Sequence, residues 1–402
     1  MERIKILHLI THLGFGGGLD NTLLTVRDHS RDRFEVHLAA GTVEPGEDYS
    51  DWSERAREYA DVLFIIPDLH RSVHLLNDLR AVRQIADLIR KEDYRIIHTH
   101  TTKAGILGRI AARRSGVPVV IHTYHAFAWQ VAYVSQVSAW RHYLAGLKER
   151  LYVAVERYGA TLSDALITVA DMNKQEVITR KVAPPEKLST IYSGIDLDRF
   201  RAKTHDRNEL CRQFGLDPAR PIVGMIGRLS IQKAPLDFVQ AAKTALQSRP
   251  DAQFILVGDG PLAQAVQAAI GAEQRIRILG FREDVTEIFT VLDVFALSSL
   301  WEGLGRALTE AMIMNVPVTA TRAGGIPELV IHGETGLLAD PGDSAQLAWN
   351  IVWLLDHPDE ARKMSERAMA RVVPAFSGQH MVKQIEALYE RVLLEKGALL
   401  SR

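Results

Sequence analysis

The sequence predicts an α/β fold of two doubly wound domains, each a parallel sheet covered by helices on both faces. Three observations carry that expectation. At 402 residues the chain is too long for one ordinary core. Short runs rich in Val and Ile alternate with helical periods, as strands buried on both faces by crossover helices do. The alternation runs through the first half and then starts afresh after Arg220.

In the first half, residues 4–10, 34–39, 96–98, 117–122 and 165–169 read as strands, separated by helical stretches such as 75–90 and 105–114. In the second half the strand-like runs are 222–226, 254–257, 276–279, 294–296 and 316–320. Between the halves lies Ser193-Gly194-Ile195-Asp196-Leu197-Asp198, turn-rich and suited to a hinge. The expected domains are therefore 1–196 and 197–377, with the boundary falling within 196–203. The closing segment 378–402 is helical by period and is expected to pack back on the first domain. In such sheets ligands sit at the carboxyl ends of the strands, so the loops there hold the candidate chemistry.

Composition narrows the classes. An apolar fraction of 47% and a charged fraction of 24% are those of a soluble globular protein. A net charge of −1 gives no bulk attraction to nucleic acid. Cys211 is the only cysteine, which excludes an internal disulfide and a cysteine-rich metal site, and suits a reducing compartment. The apolar start, 4–13, is short and broken by Lys5, His8 and His12, unlike a signal peptide, and no window reaches the length of a membrane span. A cytoplasmic location is expected, with peripheral contact on the inner face of a membrane left open.

The densest constellation is Trp301-Glu302-Gly303-Leu304-Gly305-Arg306-Ala307-Leu308-Thr309-Glu310-Ala311-Met312. Good helix formers begin near Gly305, so free N–H groups and the positive dipole end face the preceding loop. Glu310 falls among apolar residues, where a carboxylate requires a specific partner. Two readings stand on physics alone: a pair of ligand-holding carboxylates, or a Glu-rich helix start favoured by the dipole. The second constellation, Gly227-Arg228-Leu229-Ser230-Ile231-Gln232-Lys233, follows the strand 222–226. Arg228 and Lys233 read either as phosphate ligands in a strand-to-helix loop or as two solvated cations.

The loop Gly14-Phe15-Gly16-Gly17-Gly18 follows the first strand but lacks the third glycine of a dinucleotide fingerprint at its place, which disfavours a dehydrogenase. His98 and His100, and then His122 and His125, lie at strand ends. No Cys or acidic cluster joins them, so they read as hydrogen-bonding groups and no metal is expected. Asp196 and Asp198 have the form of a metal-binding acidic pair, but their hinge position favours a turn.

Together these motifs resemble glycosyltransferase family 4, a retaining family with the GT-B architecture of two Rossmann-like domains facing across a cleft. The likeness spans nearly the whole chain. It rests most on Glu302 and Glu310, then on Gly227-Arg228-Leu229 with Lys233, Val257-Gly258-Asp259-Gly260-Pro261-Leu262, Gly324-Gly325-Ile326-Pro327-Glu328 and Gly333-Glu334-Thr335-Gly336-Leu337-Leu338. The resemblance implies transfer of a sugar from a nucleotide diphosphate sugar, UDP by family frequency, to a hydroxyl acceptor. It implies no metal and no further cofactor. Glu302 would meet the donor sugar's hydroxyls, and the Leu304 and Gly305 amides its phosphates. Glu310 would take the ribose hydroxyls, and Arg228 and Lys233 the diphosphate. The backbone around Phe281 and Arg282 would read the base. Gly17 and Gly18 match the family's N-terminal phosphate-proximal loop, with Asp20 where Glu is usual, and His125 matches the histidine that reaches the donor sugar. Ala126, Ala170, Ser193 and Arg306 depart from the pattern; Arg306 would add charge near the phosphates.

From Lys103 to Arg157 there are eight Lys or Arg and two Glu. Phe127, Trp129, Tyr133, Trp140, Tyr143, Tyr152 and Tyr158 crowd 127–158. Such a segment suits an anionic bilayer carrying a lipid-linked acceptor, or else a core with a solvated helix face. Two other functions fit the same architecture: a nucleotide-sugar 2-epimerase or hydrolase, which needs no acceptor, and a catalytically silent nucleotide-binding protein.

Overall fold

The computed structural model describes residues 3–14, 16–42, 50–130, 139–201 and 206–398. The chain divides into two compact units, one of 1–194 with 378–402 and one of 195–377. Each is a wholly parallel sheet with interleaved helices.

The first sheet has seven strands: β1 Ile4–His12, β2 Phe34–Gly41, β3 Val62–Ile66, β4 Ile96–His100, β5 Val119–Tyr124, β6 Ala165–Thr168 and β7 Leu188–Thr190. They lie in the order β3-β2-β1-β4-β5-β6-β7. The order reverses between β1 and β4, and there the loops leaving adjacent strands diverge to opposite faces and open a crevice. Alternate side chains point to opposite faces. Ile6, Ile10, Ile96, Val119 and Ile121 pack on one face with Leu23 and Leu24 of the helix Gly17–Asp28 and with Ile385 and Tyr389 of the helix Gly378–Glu395. Leu7, Leu9, Ile97 and Val120 pack on the other, with Val82 and Ile85 of the helix Leu75–Glu92 and Ala104 and Ala111 of the helix Thr102–Arg114. His8, His98 and His100 share the parity of the first set, so three imidazoles enter the core beneath the C-terminal helix.

The second sheet has six strands: β8 Ile222–Ile226, β9 Gln253–Val257, β10 Ile276–Gly280, β11 Val294–Leu297, β12 Val318–Thr321 and β13 Leu337–Ala339. Their order is β10-β9-β8-β11-β12-β13, and the switch point falls between β8 and β11. Val223, Met225, Phe254, Leu256, Val294 and Ala296 form its core with Phe238 and Ala242 of the helix Pro235–Ser248 and Leu347 and Ile351 of the helix Ser344–Asp356.

All ten sequence-predicted strands are present, with ends displaced by a few residues. The strands that the pattern did not show, β3, β7 and β13, all lie at sheet edges. β3 is largely uncovered, with Val62 and Ile65 exposed, and β7 and β13 have three residues each. Short or half-covered edge strands lack the continuous apolar run that marks a central parallel strand.

Candidate functional site

In the second unit both leading constellations sit at the switch point. The loop carrying Arg228 and Lys233 leaves β8, and the loop carrying Glu302 leaves the adjacent β11. Backbone and side-chain bonds join them. The Leu300 amide donates to the Gln232 carbonyl at 2.8 Å, and Gln232 Nε2 donates to the Trp301 carbonyl at 3.1 Å. The Ser298 hydroxyl lies 2.9 Å from the carbonyls of both Lys233 and Ala234. Lys233 Nζ forms an ion pair with Glu302 Oε1, which also accepts from the Ser299 hydroxyl at 2.6 Å. Glu302 is only 5% exposed, so its charge is one that must be paired. The two residues that the motifs assigned to different parts of one ligand are thus partners of each other. Arg228 is exposed and makes no ion pair among the described residues.

Gly305 precedes the helix Arg306–Ile313, whose first-turn amides face the loop of Glu302 and Leu304. Glu310, 6% exposed, accepts from Arg306 Nε–H at 2.9 Å. The Arg306 guanidinium reaches one helical turn along to this buried carboxylate. Pairing at i and i+4 is the nearest compensation a helix offers.

The remaining motif segments act as packing for these loops. A Cβ at Gly258 would lie 2.1 Å from the Gly227 carbonyl oxygen, so only glycine lets that strand end touch the Arg228 loop. Leu229 N–H donates to the Asp259 carbonyl, and Leu262 N–H to the Leu229 carbonyl, each at 2.9 Å. A Cβ at Gly324 would lie 1.9 Å from the Glu302 carbonyl oxygen, and the Gly325 amide donates to the Gly303 carbonyl at 2.9 Å. Phe281, 46% exposed, and Arg282 follow β10. Arg282 bonds Asp284 at 2.7 Å and lies over the Phe214 ring.

In the first unit, Gly17 and Gly18 open the helix Gly17–Asp28 after β1. Phe15 of the same loop lies outside the described residues. A Cβ on Gly18 would stand 3.5 Å from the His125 ring, so Gly18 and His125 border one small space. Behind His125 the histidines are linked. His125 Nε2 lies 3.1 Å from His100 Nδ1, His100 Nε2 3.0 Å from His8 Nδ1, and His8 Nε2 3.1 Å from His29 Nε2. His29 Nδ1 then reaches Glu386 Oε1 at 3.0 Å. Burial lowers the pKa of His8, His98, His100, His122 and His125, even though His125 keeps some solvent exposure. These rings are therefore neutral at pH 7.

Ring nitrogens of His8, His98 and His100 lie within 4.8 Å of one another, a spacing a metal ion could bridge. Each of the three already has both nitrogens in hydrogen bonds, those of His98 to the Tyr389 hydroxyl at 2.5 Å and to Thr123 at 2.7 Å. The geometry favours a hydrogen-bonded core over a metal centre. His122 turns to the opposite face and bonds Thr99 at 2.9 Å. The sequence reading gave no role to His8, His29 or Glu386. The one available signal was an ionisable residue inside the apolar run of β1.

The basic aromatic segment divides. Phe127 and Trp129 are buried and stacked 4.3 Å apart, while Tyr152 and Tyr158 are exposed. Tyr133 and the side chains of Trp140 and Tyr143 lie outside the described residues. Arg109 is buried against Glu156 at 2.9 Å, Arg113 pairs with Asp164, and Arg157 caps the carbonyls of Arg180 and Lys181. Part of the expected membrane-facing set therefore belongs to the core. No helix among the described residues is long and apolar enough to cross a membrane.

Comparison with known proteins gives a consistent picture. Residues 16–199 match the family model described as Glycosyltransferase Family 4, and residues 220–357 that described as Glycosyl transferases group 1. The chain is 32% identical, over 98% of its length and 99% of the relative's, to the UDP-Gal:alpha-D-GlcNAc-diphosphoundecaprenol alpha-1,3-galactosyltransferase of Escherichia coli. It is 34% identical to the N-acetyl-alpha-D-glucosaminyl L-malate synthase of Bacillus anthracis, over 59% of this chain and 62% of that one. Among solved structures, Anabaena HepE in complex with UDP-glucose superimposes with a TM-score of 0.80 at 23% identity, over 97% of this chain and all of the other. The sucrose-phosphate synthase of Thermosynechococcus elongatus gives 0.81 at 20% identity, over 98% of this chain and all of that one. These two likenesses show the fold, which is GT-B.

Proposed function

The chain belongs to the group 1, family 4 glycosyltransferases, and from that membership we propose that it moves a sugar from a UDP-sugar to a hydroxyl of a lipid-linked diphosphate acceptor, with retention and without a divalent metal. The observation that carries the reading is the joined pair of switch-point loops in the second unit. They hold Lys233 against Glu302, with Arg228 exposed beside them and the amides of a helix start adjacent. That is a site for an anionic group next to a hydroxyl-bearing one. The lipid-linked acceptor is suggested by the printed activity of the E. coli relative. The exposed Tyr152 and Tyr158 then offer a peripheral membrane contact.

In this reading Arg228, Lys233 and the Leu304 and Gly305 amides take the diphosphate, and Glu302 the sugar hydroxyls. Glu310 takes the ribose, and the backbone at Phe281 and Arg282 the base. In the first unit, Gly17, Gly18 and His125 serve the sugar and its phosphate. The acceptor oxygen bonds to the anomeric carbon on the face that the diphosphate leaves. The carbon–oxygen bond to phosphate breaks with its electron pair on the departing diphosphate, and that phosphate oxygen takes the acceptor's proton. Negative charge grows on the leaving group, so fixed cations and amides aimed there lower the barrier. Those groups supply the charge that a divalent metal would otherwise bring.

A thermal-shift panel of UDP-, GDP-, ADP- and dTDP-sugars tests the donor. A bound donor adds about 2.7 kcal/mol of stability at a hundredfold excess over its dissociation constant. UDP-sugars are expected to shift the transition; if no nucleotide sugar or diphosphate does, the reading fails. Transfer to a polyprenyl-diphosphate sugar should survive EDTA and yield a product with the donor's anomeric configuration.

A further inference from the structure

Five groups far apart in sequence form one hydrogen-bonded line through the first unit: Glu386, His29, His8, His100 and His125. The four N···N or N···O separations lie between 3.0 and 3.1 Å. Burying four imidazoles costs desolvation that apolar side chains would not incur. The line runs from the C-terminal helix to the ring that borders Gly18.

Its direction is decided at one end. A neutral imidazole donates from one nitrogen and accepts at the other, so a chain of them has only two arrangements, all pointing one way or all the other. Glu386 Oε1 also accepts from the Ser30 amide at 2.8 Å, and Glu386 Oε2 lies 3.4 Å from Arg33 Nη1. Burial opposes its ionisation, but the bonds from His29 and Ser30 and the Arg33 charge outweigh it and hold the carboxyl below the usual range. An ionised carboxylate only accepts. His29 must therefore carry its proton on Nδ1, His8 on Nε2, His100 on Nε2 and His125 on Nε2. His125 Nδ1 is left with a lone pair.

We propose that Glu386, His29, His8 and His100 are positioning residues that set the tautomer of His125, so that its Nδ1 accepts a hydrogen bond from a hydroxyl of the donor sugar. This rests on the proposed assignment of His125 to the donor sugar. The line also shows why burying so many imidazoles is tolerated: every nitrogen between its ends is satisfied. Specificity follows as well. An acceptor nitrogen selects a sugar that presents a hydroxyl there over a deoxy analogue.

The test begins with the unaltered protein. Nitrogen-15 spectra of the imidazoles, with the His125 signal identified by its loss in His125→Asn, should show His125 protonated on Nε2 alone. Protonation on Nδ1, or a mixture, would overturn the proposal. Glu386→Ala removes the anchoring acceptor and should give mixed tautomers at His125, whereas Glu386→Gln keeps an acceptor oxygen and should retain the single tautomer. With a turned-over donor, Glu386→Ala should lower kcat about fivefold while leaving UDP affinity unchanged, and Glu386→Gln should restore it. His8→Phe, which fills the core but cuts the line, should match Glu386→Ala. An unchanged tautomer in both cut variants would sink the relay. If the unaltered protein uses no UDP-sugar, the proposed function fails, while the tautomer of His125 is read without any donor.

Discussion

Below the switch point of the first sheet the polar groups are neutral rings; below that of the second they are ions. His8, His98 and His100 are fully buried and linked ring to ring. At the corresponding place in the second unit, Lys233 pairs with Glu302, and one turn further Arg306 pairs with Glu310. A neutral network avoids the cost of burying charge and offers direction, through tautomers. A charged one keeps fixed charge ready where charge will develop.

Acid separates the two most strongly. The buried histidines of the first unit have depressed pKa values, so the unfolded chain binds protons below pH 6.5 that the folded chain refuses. Their contribution is complete above about pH 6.5 and is lost as the pH falls below it, by about 1.4 kcal/mol per pH unit for each ring that stays neutral. Hydrogen exchange, corrected for intrinsic rates, should show protection in β1 and β4 falling between pH 7 and 5.5, with β8 and β11 changed far less. Equal losses in both sheets would break the comparison.

Substitutions in the ionic unit come next. In the proposed reading Lys233→Ala removes a cation from the departing diphosphate; in the structure it leaves Glu302 buried with Ser299 as its remaining side-chain partner. The rate of transfer should fall about a hundredfold or more, with donor affinity less affected. Glu310→Ala should act on binding instead, weakening the donor about tenfold in a titration at unchanged kcat, the worth of a charge-assisted hydrogen bond. If Glu310→Ala slows chemistry and Lys233→Ala only binding, the roles are reversed. The smallest effect is expected for Arg306→Leu. It strips a partner from Glu310, and should cost the second unit stability of about 1–3 kcal/mol without abolishing transfer.

The central strands, the restart after Arg220 and the two loops of the second unit were legible because each is local. A Val- and Ile-rich run, a glycine-bearing turn and a helix start all lie within a dozen residues. Edge strands β3, β7 and β13 were not, since edge burial depends on which neighbour covers them. Gly258 and Gly324 stood out as motif glycines, but the need for them appears only where their backbones press on Gly227 and Glu302.

The sequence by itself determined the class of fold, its two halves and the residue types available for a phosphate and a sugar, because periodicity and motif spacing act over short range. Tertiary structure alone decided which of those residues meet. It joined Lys233 to Glu302 across adjacent parallel strands and turned Arg306 onto Glu310. It also brought Glu386 to His29 across more than three hundred residues of chain. Such pairings depend on sheet order and on the return of the C-terminal helix, which no local pattern encodes.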